Sequence, residues 1–152
     1  MKLGIVTYQI AQDMDVAGII ELCHNTGYQG VELRTTHAHK VEVNLMANER
    51  STVKNQFEDA GIEILGLGST FEFHAVEPEV VRENIKGTIE YAKLAADIGA
   101  QGVKCRPNGL QVDQGIPEEK TLEQIGLAMR ECAEAASDLG VEVRLEVHGR
   151  ET

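Results

Sequence analysis

Glu146 and His148 stand two residues apart in RLEVHG, at the end of a run, VEVRLEVH, that alternates apolar and polar side chains. In a strand, that spacing puts both on one polar face. A carboxylate and an imidazole placed there could ligate a divalent metal, hold a hydroxyl, or exchange a proton on a carbon next to a carbonyl. The plainer alternative is an ion pair between Glu146 and Lys104 or Arg106. LRTTHAHKVE carries His37 and His39 in HxH spacing. That pair binds a metal when both rings project the same way, and is otherwise a loop with two ordinary histidines. His74 follows in FEFHAVE. VKCRPNG brings Lys104, Arg106 and Asn108; Arg106 could clamp a phosphate or carboxylate, or merely order the rim by pairing with Glu146. Glu32 and Arg34 share the polar side of GVELR.

The elements that must position these residues repeat. NTGYQGVELR, DAGIEILGLG, DIGAQGVKCRP and DLGVEVRLEVHG each read as a helix end, a glycine cap and a short β-rich run. The cap glycines Gly27, Gly61, Gly99 and Gly140 are spaced by 34, 38 and 41 residues, the length of a βα unit of about 30 residues or more. Helical periodicity precedes each cap. Over 15–26, Ile19, Leu22 and Cys23 face inward, with Asp15 as cap. Over 48–60 the inward residues are Val53, Phe57 and Ala60. Over 78–98 they are Val81, Ile85, Ile89, Ala92 and Ala96, with Pro78 at the first helical position. Over 118–139 they are Leu122, Ile125, Met129, Cys132, Ala136 and Leu139. The order β-α-β-α-β-α-β-α-β predicts parallel strands with right-handed crossovers. The long connections (35–47, 69–77 and 107–116) all leave the carboxyl ends of strands, where parallel α/β folds keep their sites.

Buried parallel strands normally read as apolar runs. Here the polar face carries Glu32 and Arg34, then Lys104 and Arg106, then Glu142, Arg144, Glu146 and His148. Either that face meets water in a two-layer sheet, or it lines a charged pocket inside a barrel. The pocket would suit a small polyhydroxylated or anionic substrate. The GLG of 66–68 reads as a place where only small residues fit. Cys105 falls on the apolar side of its strand and is read as packing, not as a nucleophile. No GxGxxG, P-loop, HExxH or serine-elbow pattern is present.

The net charge of −11 argues against a protein that grips nucleic-acid backbones, which needs clustered Lys and Arg. No apolar span suits a membrane, and MKLGIVTYQIAQD reads as a first strand, not a signal peptide. Three cysteines without paired motifs fit reduced thiols in a cytoplasmic protein.

GVELRTTHAH, GLGSTFEFH, GVKCRPNG and RLEVHG, in this order, resemble the xylose-isomerase-like barrels: sugar and sugar-phosphate isomerases and epimerases, with abasic-site endonucleases as relatives. The resemblance implies an α/β fold of TIM-barrel, (β/α)8 type. It implies a divalent metal (Mn, Mg, Co or Zn) at the carboxyl end, with Glu146 as metal ligand and acid/base and His148 beside it. It implies that Glu32, His37 and His74 lie at the rim near the substrate, and His39, Lys104, Arg106 and Asn108 are expected to join them in binding a small carbohydrate or sugar phosphate. Arg106-Pro107 replaces the strand-4 histidine of the endonucleases, which puts DNA repair behind sugar chemistry. Such barrels usually need about 250 residues, and 152 are given. Residues 1–152 are therefore expected to form strands 1 to 5 of a partial barrel. That piece would be inactive alone, with metal absent or weakly held and edges open to self-association. A non-catalytic binding module, or one member of a two-chain assembly, is the alternative.

Overall fold

The computed structural model describes residues 2–106 and 108–147. Five strands, β1 (Gly4–Val6), β2 (Gly30–Arg34), β3 (Glu63–Gly68), β4 (Gly102–Cys105) and β5 (Glu142–Leu145), form one sheet in chain order, every pair parallel. Between them run α1 (Val16–Thr26), α2 (Ala47–Ala60), α3 (Pro78–Ile98) and α4 (Glu118–Ser137). This is half of a TIM barrel, and the alternation foreseen from the sequence is the one observed.

The helix ends follow from local chemistry. Asp15 Oδ1 accepts the Gly18 amide at 2.8 Å and caps α1. Pro78 occupies the start of α3, where its missing N–H costs nothing. Gly27, Gly61, Gly99 and Gly140 have φ of 78°, 68°, 76° and 68°. That left-handed conformation lets the chain turn from helix to strand in a few residues.

Apolar side chains of the sheet's outer face (Val31, Leu33, Ile64, Leu67, Val103) are buried against Ile19, Cys23, Phe57, Leu94 and Ile98 of the helices. A second cluster joins Phe73, Val81, Cys105, Ile125, Ala128 and Cys132. All three cysteines are buried free thiols.

Three of the expected buried faces need correction. On α3 the buried residues are Val81, Thr88, Tyr91, Ala92, Leu94, Ala95 and Ile98, while Ile85, Ile89 and Ala96 are only partly covered. The helix is flanked by both α2 and α4, so more than one of its faces is covered. On α4, Thr121, Ile125, Ala128, Cys132 and Ala136 are buried and Leu122 is exposed; Leu139 lies beyond the helix end and is also exposed. On β5 only Val141 of the expected apolar face is buried: Leu145 is exposed and Val147 is 67% exposed. Val143 is partly buried against both clusters, and β5 is an edge strand.

Among the described residues, no helix is long and apolar enough to cross a membrane.

Candidate functional site

The inner face of the sheet holds the charges. The register aligns Arg34 with Gly68, Gly68 with Lys104, and Lys104 with Arg144. Lys104 Nζ lies 2.7 Å from Glu32 Oε1 and 3.0 Å from Glu146 Oε2. Glu146 follows β5 directly and donates its amide to Cys105 O at 3.1 Å, one step beyond the strand pairing. The three side chains are 21%, 15% and 32% exposed for Lys104, Glu32 and Glu146. Burial lowers the lysine pKa most as a single cause. The hydrogen bonds and charges of Glu32 and Glu146 together outweigh it and hold the ammonium above its ordinary value.

A cavity of about 850 Å³ opens beside this array. Lys104, Arg106 and Glu146 line it, with Arg34, Ser69, Tyr8 and Ile10 at its rim and Gly4, Ile5 and Val6 from β1. Arg34 is fixed by Nη1 donating to Gly68 O at 2.9 Å and by the Tyr8 ring, whose centroid is 5.9 Å from its guanidinium carbon. Tyr8, Ile10 and Ser69 are not among the residues nominated from the sequence. Tyr8 and Ile10 lie in the β1–α1 loop (7–15), as long as 69–77 but not counted with the long connections, and Ser69 carries neither a charge nor an imidazole to mark it. Tyr8, two residues past the end of β1, could have been found by applying the same carboxyl-end rule to that loop.

The remaining candidates separate. His37 sits at the edge of the site: Nδ1 is 3.4 Å from Thr7 Oγ1 and the ring stacks on Tyr8 at 6.5 Å. Burial and then Arg34 push its pKa below the ordinary histidine value. His39 is buried, with Nε2 donating to Arg34 O at 2.8 Å and Nδ1 accepting the Val41 amide at 3.0 Å. Both ring nitrogens are thus taken by the backbone, and the two histidines do not face a common point. His74 O accepts from Gln111 Nε2 at 2.9 Å, and His74 is not in the cavity wall. Asn108 is buried; its Oδ1 accepts the Phe73 amide, tying the β4–α4 loop to the β3–α3 loop. Arg144 braces the sheet, donating to Glu142 Oε2 at 2.8 Å and to Leu65 O at 2.7 Å. His148 lies outside the described residues.

A sequence profile for the xylose isomerase-like TIM barrel matches residues 20–152. The chain belongs to this family. Solved structures agree on the fold. The IolI protein, whose structure carries a binding zinc atom, aligns over 98% of this chain and 52% of its own, with TM-score 0.80 and 21% identity. D-psicose 3-epimerase in the presence of D-fructose aligns over 99% and 53%, with TM-score 0.77 and 17% identity. The 3-keto-D-glucoside 4-epimerase from E. coli aligns over 99% and 57%, with TM-score 0.77 and 16% identity. The chain therefore spans about half the length of the structures it matches. No curated protein matches it.

The fold family implies a divalent metal, and the donors in hand do not fit one. Among the described residues no three His, Cys, Asp or Glu side chains gather closely enough to hold an ion. The two carboxylates that do converge share Lys104. Metal–carboxylate bonds are about 2.0–2.2 Å long, so an ion bridging Glu32 and Glu146 would need the space that Nζ fills.

Proposed function

We propose that this chain forms part of a sugar isomerase or epimerase site, in which a proton moves at a carbon next to a carbonyl. The observation that carries the reading is the Glu32–Lys104–Glu146 array, whose Lys104 and Glu146 line a cavity at the carboxyl end of the strands. Family membership, together with the epimerase activities named for similar structures, supplies the reaction class.

The chemistry follows from the groups present. Glu146, partly exposed to the cavity, takes the proton from the carbon beside the carbonyl. The C–H electron pair becomes the new C=C bond, and the carbonyl π pair moves onto oxygen. Lys104 lies within ion-pair distance of both carboxylates, and its ammonium brings N–H donors and a positive charge to that oxygen. Return of the proton from Glu146 to the former carbonyl carbon, while the hydroxyl proton of the first carbon passes to the oxygen of the former carbonyl, gives the isomer. Inversion at one carbon needs a second acid on the opposite face of the sugar. Arg34 and Arg106 hold hydroxyls or a phosphate at the rim, with His37 beside Tyr8.

A non-catalytic binding module is the second reading, and one observation favours it: the Glu146 carboxylate already pairs with the Lys104 ammonium at 3.0 Å. D-Fructose titration followed by NMR, with proton–deuterium exchange into the sugar, separates the cases. Shifts at Tyr8, Gly68, Lys104 and Glu146 together with exchange that Glu146→Gln abolishes support the enzyme. Binding without exchange supports the module, and a folded chain with no shift at these amides overturns both.

A further inference from the structure

A cation already stands where the two inward carboxylates meet. The Lys104 ammonium is 2.7 Å from Glu32 and 3.0 Å from Glu146, within charge-assisted hydrogen-bonding range of both. Each partner comes from a different strand or its continuation, so the contact is held by the sheet register and not by one flexible segment. Gly68, between Lys104 and Arg34 in the register, contributes no side chain to the space, and the Glu32 carboxylate fills it instead.

We propose that Lys104 is the resident cation of this site. Its ammonium fills the position between Glu32 and Glu146 that a divalent ion would need, and such an ion reaches these carboxylates only by displacing it. The charge stays fixed in the cavity wall whatever the metal concentration. A divalent ion added beside an ammonium in a partly buried site meets strong repulsion, while the same two carboxylates without the lysine attract it. The proposal deepens the reading of the cavity as a sugar site but does not need a sugar for its test. A failure here leaves that reading standing, and a failure of sugar binding leaves this one standing.

The test is Mn²⁺ titration of the whole 152-residue chain by calorimetry, comparing wild type, Lys104→Gln and Lys104→Arg. Lys104→Gln should bind Mn²⁺ at least about tenfold more tightly than wild type. Adding Glu32→Gln to it should cancel the gain, and Lys104→Arg, which keeps the charge, should stay with wild type. Equal affinity of wild type and folded Lys104→Gln overturns the proposal, as does Lys104→Arg binding as tightly as Lys104→Gln. Should Lys104→Gln fail to fold, Mg²⁺ titration of the wild type decides. Joint movement of the Lys104 ¹⁵Nζ and Glu146 carboxyl ¹³C signals supports displacement, and movement of neither supports an ammonium that keeps the ion off both carboxylates. Movement of the Glu146 signal with Lys104 unmoved overturns it.

Discussion

Gly68→Ala isolates the packing that holds the charged array. Gly68 is not among the residues with positive φ, so alanine fits the backbone. The difficulty is spatial: a methyl at this position falls 2.8 Å from Glu32 Oε1 and 3.4 Å from Arg34 Cδ. The end of Glu32 can move, but only by leaving Lys104, 2.7 Å away. A hydrogen bond to a charged partner is worth about 1.5–3 kcal/mol, and neither side chain is more than a quarter exposed. Alanine returns about 0.4–1 kcal/mol by restricting the unfolded chain. The expected net loss is about 1.5 kcal/mol, or a fall in Tm of about 3–6 °C for a chain of this size. Urea unfolding gives the free energy and thermal unfolding the Tm. The diagnostic comparison is Gly68→Ala in a Glu32→Ala background. There the methyl has room, and the substitution should be neutral or stabilising by about 0.4–1 kcal/mol. An equal cost in both backgrounds refutes the reasoning and would point to Arg34 as the group that needs the space. No cost in the wild type would mean that Lys104 does not hold the Glu32 carboxylate in place.

Two further outcomes follow from groups that the structure ties to the backbone. His39 is buried in its neutral form, so its folded pKa lies below the ordinary 6.5, with burial the main cause; the stability it brings is complete above that pH and drains away as the pH falls through the folded value. Urea midpoints measured at about pH 7.5 and pH 5 should fall less in His39→Gln than in wild type, and an equal fall would assign the acid sensitivity elsewhere. Asn108→Ala removes the acceptor of the Phe73 amide and should cost about 1–3 kcal/mol in urea unfolding, the penalty of a buried unpaired N–H. An unchanged midpoint would refute that role for Asn108.

The framework of this fold was legible because it is written locally. Gly27, Gly61, Gly99 and Gly140 mark helix ends, and all four take the left-handed conformation that glycine allows. Alternation in GVELR, GVKCR and VEVRLEVH identified a polar face but left open whether it meets water or lines a pocket; Glu32, Lys104 and Glu146 meet on it. The plainer alternative raised for Glu146, an ion pair with Lys104, is the contact observed. What could not be read was partner choice. Lys104, Arg106, Arg34 and Arg144 are equivalent as charges in the sequence, and the register alone decides that Lys104 takes both carboxylates while Arg144 takes Glu142 and a carbonyl. His39 and Asn108 read as site residues because polar side chains after strands often reach the mouth of a fold. Whether such a side chain faces a ligand or closes its own loop depends on turns that no periodicity records.

The charged interior depends on a single irregularity in β3. Val31 pairs with Ile64, but Glu32 pairs with Gly66, Leu33 with Leu67 and Arg34 with Gly68, so one residue, Leu65, is extra. Without it, Glu32 would stand beside Leu65 and Arg34 beside Leu67, since a one-residue slip exchanges the two faces of a strand. The bulge therefore puts glycines beside the charges and keeps Leu67 in the core with Leu33. It leaves two things to accommodate, and the sequence provides for both. The Leu65 side chain turns inward over Gly4 and Gly30, where a Cβ on Gly30 would lie 2.8 Å from it. The Leu65 carbonyl is taken by Arg144 at 2.7 Å, whose guanidinium in turn passes over Gly102, where a Cβ would lie 3.1 Å from Nε. The glycines at 4, 30, 66, 68 and 102 are thus not loose points in the strands. They are the spaces into which one leucine, one carboxylate and one guanidinium fit, and they let a parallel sheet carry charge on the face that such sheets ordinarily fill with Val, Ile and Leu.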